Sequence, residues 1–184
     1  MQNVSDEALV RQFKQGDDSA FNGIVRHYQE KLYYVALTMV NDHDEASDLS
    51  QEAFVRAYQG LPKFEEGASL YTWLYRIVVN LCINHLRAKK ARQIISLDAL
   101  VEPLVSSKHT PEQEVEQKDF REAVQQAVEQ LPPRQKAVFV LRQYEQLSHE
   151  EIARTLGRSV GAVKANYFHA VKKLQKSLAE FKET

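Results

Sequence analysis

A single cysteine, Cys82, stands in the 184 residues of this chain. It excludes an internal disulfide, and without a CxxC pair or a Cys/His cluster the sequence offers no zinc site; its apolar surroundings predict a buried structural thiol. No run approaches the roughly eighteen apolar residues of a membrane span. The opening MQNVSDEALV lacks the basic start and apolar core of a secretory signal, so a cytoplasmic protein with no direct membrane insertion is expected. Glycine-rich phosphate loops, strand pairs and internal repeats are all missing. His149, Glu150, Glu151 and Ile152 begin like a zinc-protease HExxH helix, but Ala153 stands where the second His is required. No nucleophile sits in a recognisable motif, so the chain is expected to be no enzyme, with no metal, no cofactor and no small-molecule substrate. Net charge is nearly absent as well, at -1. Non-specific DNA affinity comes mainly from Lys and Arg neutralising phosphates, so a DNA binder of this composition needs a partner.

What is present is helical periodicity. Hydrophobic residues make up 43% and charged residues 27%, the balance of a soluble globular protein of one domain or two small ones. Residues 5–15 read as a short helix ended by Gly16. Asp17, Asp18 and Ser19 then cap a longer one, with Phe21, Ile24, Val25, Tyr28, Leu32, Val35, Ala36 and Met39 as its apolar stripe. Asp42 and Glu45 mark a third start, after which Ala46, Leu49, Ala53 and Ala57 lie inward and Asp48, Gln51, Glu52 and Arg56 outward, until Gly60 and Pro62. A fourth helix runs from about Ser69 to Arg92, with a core stripe of Leu70, Leu74, Ile77 and Leu81. Arg76, Asn80, Asn84 and Arg87 form a second, polar stripe on it. Tyr71, Trp73 and Tyr75 crowd its first turns; Trp73 is read as packing, though a basic, aromatic segment beside a loop also suits stacking on unpaired bases.

Periodicity fades over residues 93–109, where Pro103, Ser106 and Ser107 mark a linker. Helix resumes at Thr110 with Pro111 and Gln113 as its start signals and Val115, Phe120, Val124, Val128 and Leu131 as its apolar side. Pro132 and Pro133 break it, and residues 134–144 supply another helix through Ala137, Val138 and Leu141. Ser148 and Glu151 then form a capping box, Gly157 a stop and Ser159 a second N-cap. Val163, Tyr167, Ala170, Leu174 and Leu178 recur on one face of the last helix. Its other face carries Lys164, Ala165, Phe168, His169 and Lys172, the surface a recognition helix presents to a major groove. The expected fold is all-α: two small helical domains joined by a flexible linker, the C-terminal one containing a helix-turn-helix.

Four stretches, in this order, carry a resemblance: DLSQEAFVRAY at 48–58, YTWLYRIVVNLCINHLR at 71–87, LPPRQKAVFVLRQYEQLSHEEIA at 131–153 and VGAVKANYFHAVKKL at 160–174. Together they resemble the sigma-70 family of bacterial RNA polymerase specificity subunits, in its extracytoplasmic-function group. The resemblance implies a region 2 domain at 1–92, a linker at 93–109 and a region 4 domain at 110–184. It implies docking on core RNA polymerase, at the beta-prime clamp helices and the beta flap, with Asp48, Gln51, Glu52, Phe54 and Tyr58 as the core-binding face. Lys63, Phe64, Gly67, Tyr71, Arg76, Asn80, Asn84 and Arg87 match positions that capture and face the melted minus-10 element of promoter DNA. Arg158, Ser159, Lys164, Ala165, Asn166, Phe168, His169 and Lys172 fall where the minus-35 duplex is read.

An anti-sigma factor is a further implied partner. Where many members carry Arg this chain has Asn166, His169 and Val171, and where Thr or Ser is common it has Ala162 and Ala165. Fewer phosphate contacts and no bidentate Arg to guanine from position 169 are therefore expected. The competing reading is a homodimeric helix-turn-helix regulator whose N-terminal half senses a ligand or partner.

Overall fold

The computed structural model describes residues 5–65, 68–96 and 112–182. Among them are eight α-helices and no strand. The N-terminal half holds α1 (Asp6–Lys14), α2 (Ser19–Val40), α3 (His43–Gly60), a 3₁₀ turn (Leu61–Lys63) and α4 (Leu70–Ser96). The C-terminal half holds α5 (Glu112–Glu129), α6 (Pro133–Gln143), α7 (His149–Leu156) and α8 (Val160–Lys182).

Local chemistry sets most boundaries. The Ser5 hydroxyl accepts from the Ala8 amide at 3.3 Å to start α1, and Gly16 at φ +97° turns the chain out of it, a conformation glycine adopts without strain. Asp17 Oδ1 accepts from the Ser19 amide at 3.0 Å ahead of α2. Asn41, at φ 54°, ends α2 in the left-handed region that Asn tolerates best after Gly. Asp42 accepts from the Glu45 amide at 2.9 Å, while the Glu45 side chain turns away to α4 rather than closing a box. Ser69 caps α4 by accepting from Thr72. That helix runs four residues beyond the Arg92 expected from periodicity; the rest of the expected linker, with Thr110 and Pro111, lies outside the described residues.

Within the N-terminal half, Ile24, Leu32, Val35 and Met39 of α2 meet the small side chains Ala46, Ala53 and Ala57 of α3 and the fully buried Leu74 and Val78 of α4. The buried residues of α3 are all small, Ala46, Ser50, Ala53 and Ala57, which lets its backbone approach α2 closely. In the C-terminal half, Val128 and Leu131 pack with Ala170 and Leu174 in a separate small cluster. Phe120, read as an inward residue, is 45% exposed; it sits at the rim of a cleft shared by α5 and α2.

The two halves are not apart. α4 packs against α6 and α7, and α2 against α6, so Val138, Leu141 and Ile152 belong to the same apolar cluster as the N-terminal core. This explains α4, where Tyr75, Val78, Val79 and Cys82 are buried besides the single stripe read from the sequence. Burial pushes the Cys82 thiol up to about 12, as expected of a structural cysteine.

One electrostatic clamp ties α3 to α4: Glu45 meets Lys89 at 2.8 Å and His85 at 3.0 Å. Burial opposes ionisation of Glu45, and the bonds from Lys89 and His85 outweigh it, so the carboxyl is held below its usual range. A carboxyl depressed on folding stabilises above its unfolded value of about 4.3 and loses that contribution as pH falls through the folded value. Melting curves of the wild type and Glu45→Gln are expected to differ at pH 7 and to converge only as pH falls below about 4.3 and through the lower folded value.

Candidate nucleic-acid interface

Three surfaces carry the residues singled out from the sequence. On the outer side of α3, Asp48, Gln51 and Glu52 are exposed. Gln51 donates to the Ser47 hydroxyl at 2.9 Å and Glu52 pairs with Arg56 at 2.7 Å, so the polar face is ordered along the helix. Tyr58, 43% exposed, stands with its ring edge-on to Phe13 and Phe21, at 5.2 and 5.1 Å between centroids. Half-buried Phe54 packs against Phe21 beside it. The result is a carboxylate ridge next to an aromatic ledge.

The second surface is the 3₁₀ turn, the loop after it and α4. Lys63 is exposed. Phe64 is not: it is buried and tilted against Trp73 at 5.1 Å, and its carbonyl accepts from Lys14 at 2.6 Å. Trp73 is packing, as read, lying over Gly60 so closely that a Cβ there would meet the indole at 2.9 Å. Gly67 lies outside the described residues. Tyr71 stacks on Tyr75 at 4.1 Å, and its phenol is pushed up to about 12, chiefly by burial. Lys63, Phe64, Tyr71, Trp73 and Arg76 wall a cleft of about 780 Å³ whose far side is Leu147, Glu151 and Arg154 of the helix-turn-helix region.

Arg76 is exposed, yet its guanidinium is tied to the C-terminal half. Its Nε donates to the Thr155 carbonyl at 3.0 Å and its Nη2 to the Arg154 carbonyl. These are among the last carbonyls of α7, which lack partners within their helix and favour a cation. The neighbouring phenol of Tyr75 donates to Glu145 Oε2 at 2.7 Å. Further along α4, Asn80, Asn84 and Arg87 border a second cleft of about 330 Å³, closed on its other side by Arg134, Arg158, Ala162 and Asn166. The polar stripe of α4 therefore faces the C-terminal half of the same chain.

The third surface is the helix-turn-helix. Ser148 and Glu151 close a capping box in both directions, Gly157 leaves α7 at φ +61°, and Ser159 caps α8 by accepting from Ala162 at 3.2 Å. Val163, Ala170 and Leu174 are buried. Lys164, Ala165, Phe168, His169 and Lys172 are exposed together on the opposite side, with Phe168 at 62%. Arg158 and Ser159 are exposed at the turn. Asn166 differs from this group: it is half-buried, donates to the Ala162 carbonyl at 2.7 Å and lines the cleft shared with α4.

Two kinds of residue escape sequence reasoning. Arg134 and Arg154 line the clefts between the halves, and helical periodicity says nothing about which helix will lie opposite. Lys136 is 2% exposed, and its ammonium is held below the usual lysine range by burial. A lysine beside apolar neighbours gives no signal of its own depth.

Residues 24–92 match the Sigma-70 region 2 family and residues 121–174 the Sigma-70 region 4 family. The RNA polymerase sigma-H factor of Pseudomonas aeruginosa is 34% identical over 180 residues, covering 94% of this chain and 93% of that protein. The ECF RNA polymerase sigma factor SigW of Bacillus subtilis is 33% identical over 178 residues, covering 93% and 95%. Among solved structures, the sigma factor RpoE of Bartonella quintana, in complex with the anti-sigma factor NepR, superposes with a TM-score of 0.64 at 24% identity. It covers 86% of this chain and 96% of that one, a likeness of fold.

Proposed function

The chain belongs to the extracytoplasmic-function group of sigma-70 RNA polymerase factors, which direct promoter-specific transcription and are not a class of enzyme, and we propose how its parts divide that work. Residues 1–92 dock on core RNA polymerase through Asp48, Gln51, Glu52, Phe54 and Tyr58, and take the melted minus-10 element along the 3₁₀ turn, the loop and α4. Residues 110–184 hold the minus-35 element as duplex in front of α8, with residues 93–109 spanning between. The compartment is the cytoplasm, where polymerase and promoters are.

The observation that carries this reading is the joint exposure of Lys164, Ala165, Phe168, His169 and Lys172 opposite the buried side of α8. A purely structural helical hairpin has no use for a solvent-facing Phe between basic residues. Phe168 suits a thymine methyl, and His169 can donate one hydrogen bond to a base edge. With a net charge of -1 the chain has too weak a field to hold DNA alone; polymerase, gripped by the α3 ridge, supplies the missing affinity.

The two promoter elements lie about two helical turns, roughly 70 Å, apart. A chain in which α4 lies against α7 cannot place both domains on DNA at that distance, so docking on polymerase separates these helices. The described conformation is then a resting state, and a protein inhibitor of the anti-sigma kind would work by keeping the docking faces covered.

Asp48→Arg is expected to weaken binding to core polymerase while leaving promoter preference unchanged in reconstituted transcription. Normal core binding by that variant would remove the α3 ridge from the interface. Gel filtration with and without core polymerase tests the reading as a whole: a stable homodimer that ignores polymerase would overturn it.

A further inference from the structure

The 330 Å³ cleft between α4, α6 and the start of α8 has an unusual charge balance. Arg87 comes from the N-terminal half, Arg134 from α6 and Arg158 from the turn before α8, and Asn80 and Asn84 add amide donors. No carboxylate lines it. None of the three guanidiniums has a hydrogen-bond or ion-pair partner among the described residues. Arginine stays charged at every physiological pH, so closing the two halves brings three like charges around one small volume. The apolar core shared by the halves and the Arg76 bonds to α7 hold the chain closed against that repulsion, which no carboxylate among the lining residues relieves.

We propose that this cleft is a binding site for a small phosphate-bearing anion of the pyrophosphate class, such as the phosphate chain of a nucleotide, and that its occupant holds the two halves together. Guanidinium forks bind phosphate oxygens in pairs, with charge-assisted hydrogen bonds about twice as strong as neutral ones. The volume is near the lower limit for a ligand pocket, right for a short phosphate chain and closed to a duplex unless the walls part. Because the donors come from both halves, the complete site exists only when the chain is closed. Anion and closure therefore reinforce each other by the same factor in both directions. Under the sigma-factor reading, on which only this consequence rests, a bound anion delays promoter engagement, because Arg87 and Arg158 are occupied and α4 remains covered.

Arg134 is the residue on which to test the site, being exposed and outside every surface assigned to polymerase or DNA. Titration of the full chain with inorganic pyrophosphate in a calorimeter, with sulfate at matched ionic strength as reference, is expected to give a saturable one-to-one isotherm for pyrophosphate only. In the Arg76→Ala background, where the halves are expected to separate more readily, dyes placed at Gln59→Cys and Gln175→Cys are expected to report closure with the same midpoint. Arg134→Ala should weaken binding about tenfold or more. Arg134→Glu, which supplies a carboxylate to Arg87 and Arg158, should abolish binding and remain closed without the anion. Equal response to sulfate, or wild-type affinity in both variants, would overturn the proposal. None of these measurements involves polymerase, so their failure leaves the transcription reading to its own test.

Discussion

Arg76→Ala is expected to shift the free chain toward separated halves by a little over tenfold, about 1.5 kcal/mol. The guanidinium donates to the Arg154 and Thr155 carbonyls at the end of α7, and hydrogen bonds from a charged donor contribute about 1.5 to 3 kcal/mol. The low end applies because one of the two bonds is exposed to water. Arg76→Lys does not restore the effect, since a point charge cannot serve two carbonyls as a planar fork does. Faster hydrogen exchange in α7 and a longer distance between dyes on the two halves are the readouts; an unchanged distance would show that Arg76 is incidental to closure. In promoter opening the same substitution acts in two directions, releasing the face of α4 and removing a side chain proposed to meet DNA. Asn80→Ala separates the two when no phosphate-bearing anion is present, because Asn80 makes no hydrogen bond across the interface and its loss should then affect only the DNA step.

Arg76 also marks where the sequence stops being informative. Helix starts and stops were legible because they are local: Ser148 with Glu151, Gly157, Ser159 and Asp42 each act within one turn of themselves. The buried sides of α2 and α8 were legible because periodicity records which side of a helix avoids water. A polar stripe at the same spacing records only that its neighbour is not oil. On α4 that neighbour is the C-terminal half of the chain, engaged partly through backbone carbonyls, which leave no trace in residue type. Phe64 shows the converse limit. The resemblance puts it among the minus-10 positions, but in this chain it is buried against Trp73, while the ring available at the cleft is half-buried Tyr71.

Tyr75→Ala is expected to produce the largest loss of stability of any substitution considered, about 3 to 5 kcal/mol, the range for deleting a fully buried aromatic side chain. Tyr75 has no exposed surface, stacks on Tyr71 at 4.1 Å and donates to Glu145 at 2.7 Å. Tyr75→Phe keeps the ring and removes only the bond to Glu145, whose carboxylate is half-buried and can turn to water; about 1.5 kcal/mol is expected. Burial and Glu145 both raise the Tyr75 phenol above its usual value. The unfolded chain then gives up this proton first as pH rises above about 10, so stability falls on the alkaline side, and Tyr75→Phe should flatten that fall. Because Tyr75 sits in one apolar cluster with Val138, Leu141 and Ile152 of the other half, its loss should lower a single cooperative transition. Calorimetry decides the point: if Tyr75→Ala melts in two steps, with the second at the wild-type temperature, the C-terminal half is stable without α4, and the shared core contributes to closure but not to folding.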